Sequence, residues 1–386
     1  MSTPLHIGFI PLVDAAALIV AVDKGFAAEE GLDVTLVREV SWSNVRDKLN
    51  IGLFDAAHLL APVAIASSLG IGHVKVPIIA PFNLGINGNA ITVSSALHAA
   101  IMAELDGDRF DPMATAKALA RVVAARRQGG AEPLTFAMTF PFSTHNYQLR
   151  FWMAAGGVDP DEDVRLVVLP PPFMAETIAS GQIDGFCVGA PWNSIAVDRG
   201  DGHILHYVSD ILVRAAEKVL AVRQGWADKN PETVTALVRA ASRGADFVEQ
   251  DRGETARILA QPDRIGVDAE VIQRTLDGRL KVSPDGTMRE SGRYLLVGRE
   301  GAGRPDPVQA AWLYAQMARW GQTSLSVDAL KTAMAAFRPD LYDAALGQRA
   351  ARDQPPIPFR AFAGPNFDPA DISGYLASFP VSRRMP

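Results

Sequence analysis

Runs with strand spacing and runs with helix spacing take turns along the first half of the chain. Leu5–Ile10 reads as a buried strand. Asp14–Ala28 places Leu18, Ile19, Val22 and Phe26 at helical intervals and stops near Gly31. Val34–Val37 reads as a second strand, Ser43–Ile51 as a helix with Ser43 as its N-cap, and Ala56–Leu60 as a third strand. Strands that alternate with helices predict a mainly parallel sheet covered on both faces.

A second stretch follows the same plan. Thr135–Phe140, Val164–Leu169 and Phe186–Val188 read as strands, and Thr144–Ala155 and Phe173–Ser180 as helices. The echo reaches single residues: Gly52-x-x-Asp55 is followed by Pro62, and Gly181-x-x-Asp184 by Pro191, at equal spacing. The repetition predicts two related α/β lobes whose strand ends face a shared cleft, where ligands of open α/β sheets bind. Further on, Trp192–Val197 reads as a helix and Ile204–Val208 and Lys218–Val222 as strands. Pro231–Ala260, Pro307–Trp320 and Val327–Phe337 read as helical, and Leu280–Asp306 as extended loops.

The chain has 386 residues, too many for one compact core. Apolar residues make up 48% and the formal net charge is −6, so the average field repels anions and offers nothing to nucleic acid. A bound anion then needs a local positive site. The single cysteine, Cys187, excludes an internal disulfide framework. No apolar run reaches membrane-spanning length, and no cationic leader with a long apolar stretch is seen. The expectation is a cytoplasmic protein that does not insert into membranes. No zinc motif, P-loop or dinucleotide fingerprint appears, and no cofactor is expected.

Seven segments carry a resemblance: Leu5–Leu12, Ser41–Leu49, Asn87–Val93, Arg150–Pro160, Leu169–Pro172, Asp184–Asn193 and Glu217–Leu220. In this order they are similar to the nitrate- and bicarbonate-binding proteins of bacterial ABC transporters, the NrtA/CmpA family. The resemblance implies an α/β, two-lobed periplasmic-binding-protein-like fold of the second type, with mixed sheets and a ligand cleft between the lobes. It implies lobe I from 1–92 and 206–345, lobe II from 93–205, and a Pro-rich tail from 346–386 that wraps the body. Hinge strands are expected near Ile91–Ser94 and Ile204–Val208. The run Ser143–Tyr147, with the missing leader, looks closest to the cytoplasmic NasS-type sensors. These bind nitrate or nitrite and control an RNA-binding antiterminator of NasT type. The alternative is a substrate-binding component of a nitrate or bicarbonate transporter.

Four residues are the expected ligand contacts. His145 sits at a strand-to-helix junction, where unpaired backbone N–H groups and the helix dipole favour an anion. Lys218 opens an apolar strand, from which an ammonium can reach a cleft and give a charge-assisted bond. Its plain alternative is a solvated lysine. The resemblance puts a lysine at this place in the nitrate-binding branch and an acid in the bicarbonate-binding branch, with Glu217 one residue away. Lys218→Glu is accordingly expected to abolish nitrate and nitrite binding without unfolding the chain. Trp42 offers a flat wall and an indole N–H, against ordinary core packing. Asn89 offers an amide where the transport proteins carry Gln, against a turn role. Trp192 is expected to be structural, Asp14 a helix N-cap, and Cys187 a buried small hydrophobe in place of an enzyme's nucleophile.

Overall fold

The strand–helix alternation builds two sheets in the computed structural model, which describes residues 3–347 and 359–383. The strands are β1 (Thr3–Phe9), β2 (Leu32–Arg38), β3 (Ala56–Leu60), β4 (Ile78–Asn87), β5 (Asn89–Ser94), β6 (Thr135–Met138), β7 (Arg165–Val168), β8 (Gly185–Gly189), β9 (Gly202–Tyr207), β10 (Ala216–Arg223), β11 (Arg279–Lys281), β12 (Met288–Glu290) and β13 (Leu295–Leu296). The first sheet runs β13-β4-β10-β3-β1-β2 and the second β7-β6-β8-β5-β9. Each has a parallel trio, β2-β1-β3 and β7-β6-β8, flanked by an antiparallel strand. In the first sheet that strand is β10, and in the second it is β5. The two lobes are therefore topological copies.

The Gly–Asp echo has a structural cause. Gly52 and Gly181 both take positive φ, at the turns leading into β3 and β8. Asp55 Oδ2 accepts from the N–H of His6 on β1, and Asp184 Oδ2 accepts from the N–H of Thr135 on β6. In each lobe the carboxylate ties down a backbone N–H of the neighbouring parallel strand, at the fourth residue of β1 and the first of β6.

The chain leaves the first sheet at Asn87 and enters the second at Asn89, upstream of the division expected at residue 92. It returns between Tyr207 and Ala216. Ile91–Ser94 and Ile204–Tyr207 are paired inside the second sheet, so the crossings lie just outside the strands expected to be hinges. Asn87 is buried and has φ 62°. Its amide donates to the carbonyls of Val213 and Arg293 and accepts from the N–H of Ala215, which ties the two crossings together.

Other expectations are revised. Asp14–Ala28 is not one helix: Val13–Ala15 is a 3-10 turn, and helices Ala16–Asp23 and Phe26–Glu29 are separated by Gly25 at φ 79°. The helical stretch after Pro231 breaks at Asp251 into Pro231–Gln250 and Arg252–Leu259. Within Leu280–Asp306, β11 and β12 form a hairpin and β13 adds an edge to the first sheet. Helices Ala61–Leu69, Ser95–Ala103 and Pro112–Gln128 were not foreseen. Of the tail expected from 346–386, residues 348–358 and 384–386 lie outside the described residues. In the remainder, Phe362 and Phe379 stack edge-on against Phe151, and the backbone bonds to Ile211, Val213 and Arg319.

One close crossing holds the first lobe. A Cβ on Gly244, in helix Pro231–Gln250, would lie 2.1 Å from the carbonyl oxygen of Ala17 in helix Ala16–Asp23. Gly244→Ala is expected to lower stability by about 1–3 kcal/mol through overpacking, read as a lower urea midpoint.

Candidate functional site

Strand polarity brings four distant segments together. β10 runs antiparallel to β3, so its first residues lie beside the carboxyl end of β3, with Lys218 opposite Leu60. β5 runs antiparallel to β8, which sets Asn89 opposite Gly189 at the carboxyl end of β8. The segment after β1 delivers Asp14, whose Oδ2 would lie 3.5 Å from a Cβ on Gly189, with Asn89 Oδ1 at 3.3 Å. The turn after β6 delivers Thr139 and then helix Thr144–Ala155, capped by Ser143 Oγ accepting from the N–H of Asn146. The N–H of Val13 donates to the carbonyl of Ala190, and the indole of Trp192 to that of Pro11, so the lobes touch here.

Lys218 is fully buried and its Nζ lies 3.0 Å from both Asp14 Oδ2 and Glu217 Oε1. Burial alone would discharge it, but Asp14 and Glu217 outweigh that and raise its pKa, so it stays an ammonium. The register of β10 against β4 shifts between Ala216 and Lys218 and again before Val219. At that irregularity two consecutive side chains, Glu217 and Lys218, reach one cluster instead of opposite faces.

Asp14 caps no helix with its side chain. It is an ion-pair partner: Oδ1 lies 2.9 Å from His58 Nε2, while His58 Nδ1 accepts from the N–H of Ile10. That second contact leaves the His58 proton on Nε2, facing Asp14. Burial would raise the Asp14 carboxyl, yet Lys218 and His58 bring it down to about 2. Burial keeps His58 neutral by lowering its pKa, against the pull of Asp14.

His145 is buried, with Nδ1 3.0 Å from Thr139 Oγ1 and 3.3 Å from Glu217 Oε1. Burial, then Lys218, hold its pKa well below the usual imidazole range, so it is neutral near pH 7. Asn89 Nδ2 donates to Gln148 Oε1, one turn along the same helix. The paired amides leave one free carbonyl and one free NH2 group. Trp42, the first residue of helix Trp42–Asn50, is buried with its ring 5.4 Å from Lys218 Nζ and 5.4 Å from the His58 ring.

The four expected residues thus stand in one cluster. Sequence reasoning missed Glu217 as a member, and also His58, Gln148 and Thr139. The signal for Glu217 and Asp14 was present: an acid inside an apolar run needs a partner. Among the described residues, the indole N–H of Trp42, Nε2 of His145, Nε2 of Gln148 and Oε2 of Glu217 have no protein partner. Such buried orphans are rare enough to require an explanation. Cys187 lies on β8 with Sγ 3.9 Å from Gln148 Oε1. Burial, then Glu217, push its thiol well above the usual range, the opposite of an activated nucleophile. Among the described residues no His, Cys, Asp and Glu group is set to hold a metal, and no helix is long and apolar enough to cross a membrane.

Two copied α/β lobes meeting over a buried polar cluster define the periplasmic-binding-protein-like architecture. The crystal structure of the periplasmic nitrate-binding protein NrtA from Synechocystis superposes with a TM-score of 0.89 at 27% identity, covering 98% of this chain and 99% of that one. A model of the NMT1-like family matches residues 1–262. The nitrate/nitrite binding protein NrtA of Synechococcus elongatus is 31% identical over 96% of this chain and 84% of its own length. The nitrate import ATP-binding protein NrtC of Synechocystis is 33% identical over 98% of this chain, which spans 55% of that larger protein. The chain belongs to the NMT1-like family and, within it, to the NrtA/CmpA-like proteins.

Proposed function

We propose that the chain binds nitrate or nitrite between its lobes and delivers it to an ABC importer. The observation that carries the reading is a buried ammonium with three side-chain nitrogens near it that the described residues leave unpaired: Trp42 Nε1, Gln148 Nε2 and His145 Nε2. Nitrate is planar, singly charged and accepts hydrogen bonds only. It needs directed donors and one cation in a dry site, and this cluster offers them. His145 becomes a donor at Nε2 when its Nδ1 accepts from Thr139. Bicarbonate, the competing anion, carries an O–H of its own, and Glu217 Oε2 and Asn89 Oδ1 are unpaired acceptors among the described residues, so the preference for nitrate rests on the donors, on Lys218 and on the matched relatives. Trp42, Asn89, His145 and Lys218 are the proposed contacts, joined by Gln148. The bonds from Val13 to Ala190 and from Trp192 to Pro11 are those that opening of the lobes would break.

Calorimetry of the full chain with nitrate, nitrite and bicarbonate tests this reading. Micromolar or tighter binding of nitrate or nitrite, and weaker binding of bicarbonate, is the expected result. Heat from bicarbonate alone would overturn it. Trp42→Phe keeps the ring and removes the N–H. It is expected to weaken nitrate binding by about 1.5–3 kcal/mol, roughly ten- to a hundredfold, with little change in the melting curve.

A second reading uses the same binding chemistry in a cytoplasmic sensor that releases an antiterminator of NasT type. The run Ser143–Tyr147 at the start of the His145 helix favours it. The importer reading is preferred because the matched NrtA and NrtC relatives carry the names of a nitrate-binding and a nitrate-import protein. Co-purification with an RNA-binding antiterminator without nitrate, and its loss on adding nitrate, would decide for the sensor.

A further inference from the structure

One buried carboxylate stands between the ammonium and the histidine. Glu217 is fully buried, with Oε1 3.0 Å from Lys218 Nζ and 3.3 Å from His145 Nδ1. Its other oxygen, Oε2, has no partner among the described residues. The groups facing it come from every element packed around it. They are Lys218 on its own strand, Asp14 after β1, Thr144 and His145 on the helix after β6, and Cys187 on β8. His58 stands one step further, behind Asp14.

The charges decide what a monovalent anion meets. Asp14 and Lys218 cancel. His58, His145 and Cys187 are held neutral. With Glu217 ionised the buried cluster carries one net negative charge before any anion arrives, and a second negative charge in a dry site is costly. With Glu217 protonated the cluster is neutral, Lys218 is left to Asp14 and the ligand, and the unpartnered side of Glu217 turns from a pure acceptor into a potential donor.

We propose that Glu217 is the proton-accepting partner of the bound anion: as nitrate or nitrite enters, the Glu217 carboxylate takes one proton from solvent, so ion and proton are bound together. The step balances as carboxylate plus proton giving carboxylic acid, with no other bond made or broken. The new O–H donates to His145 Nδ1 or to the ion. In the first case it leaves the imidazole proton on Nε2, the side without a protein partner. Burial raises the Glu217 pKa even against the pull of Lys218, which is the direction that favours uptake. The inference rests on the nitrate-binding reading and adds a residue and a linkage to it. The linkage would let a falling pH tighten the complex and a rising pH loosen it.

Calorimetry of nitrate binding to the full chain, repeated in two buffers of different ionisation heat across about pH 6 to 9, counts the protons. Uptake approaching one proton per nitrate is expected where Glu217 is ionised in the free chain. Kd should then rise with pH by up to about tenfold per unit, the limit for one linked proton. Glu217→Gln is expected to bind nitrate without uptake, with a flat pH profile, and more tightly than the wild type at the alkaline end. A wild type that binds with no proton uptake overturns the inference and leaves the nitrate reading standing. So does a Gln variant that keeps the uptake, which would move the proton to His145. A wild type that binds no nitrate at any pH overturns both. Should Glu217→Gln not fold, infrared difference spectra of the wild type replace it. Gain of a protonated-carboxyl C=O band on nitrate addition supports the inference, and its absence overturns it.

Discussion

Lys218→Met is expected to raise the Kd for nitrate by roughly 30- to 4,000-fold, the 2–5 kcal/mol that truncating one partner of a buried charge pair costs a complex. The side chain is fully buried and its ammonium is the positive charge that Asp14 and Glu217 share. Met keeps most of the volume of the aliphatic stem, so the variant separates lost charge from lost packing. Its removal also leaves two carboxylates facing each other, and a one-sided break of a buried pair costs about 3–5 kcal/mol of stability. Lys218→Glu is a poorer experiment than the sequence suggested. It would bury three carboxylates together, and the expectation that the chain stays folded does not survive the geometry. A folded Lys218→Met chain that binds nitrate within tenfold of wild type, by calorimetry, would remove Lys218 from the site.

Asp14→Ala carries the second large effect. Lys218 would keep Glu217 alone, and the Nε2–H of His58 would lose its acceptor. The expected loss is again about 3–5 kcal/mol, read from the urea midpoint near neutral pH. The milder Asp14→Asn isolates the charge. In the folded chain the Asp14 carboxyl sits at about 2, below its ordinary 3.8, because Lys218 and His58 overcome the effect of burial. A depressed carboxyl stabilises the fold above its unfolded value and loses that contribution as pH falls toward the folded value. The window is therefore about pH 4 down to 2, and the contribution is about 2 kcal/mol. Wild type should lose this extra stability across that window, and the Asn variant should show a shallower acid slope there. Parallel acid profiles for the two would refute the ion-pair role. Glu217 has the opposite sign, since its raised pKa favours the fold at low pH and counts against it as pH rises.

What the linear chain determined is local or periodic. Strand and helix spacing placed β1, β3, β6 and the helix Thr144–Ala155, and the twofold Gly–Asp echo announced two copied lobes, because each copy uses its Asp to hold the neighbouring parallel strand. The residue types that suit an anion, Trp42, Asn89, His145 and Lys218, were visible as donors at element ends. What only the tertiary structure decided is their company. Residues 218 and 89 reach the segments after β1 and β6 that carry Asp14 and His145 because β10 and β5 run against their neighbours and bring their first residues to the far ends of β3 and β8. No periodicity within a segment encodes that pairing. The same blindness made Asp14 look like a cap and Glu217 look like a rival to Lys218. A buried ion's partner is chosen by register between strands that are far apart in sequence. The charge state of the site, and hence the proton it is proposed to take up, exists only once that register is set.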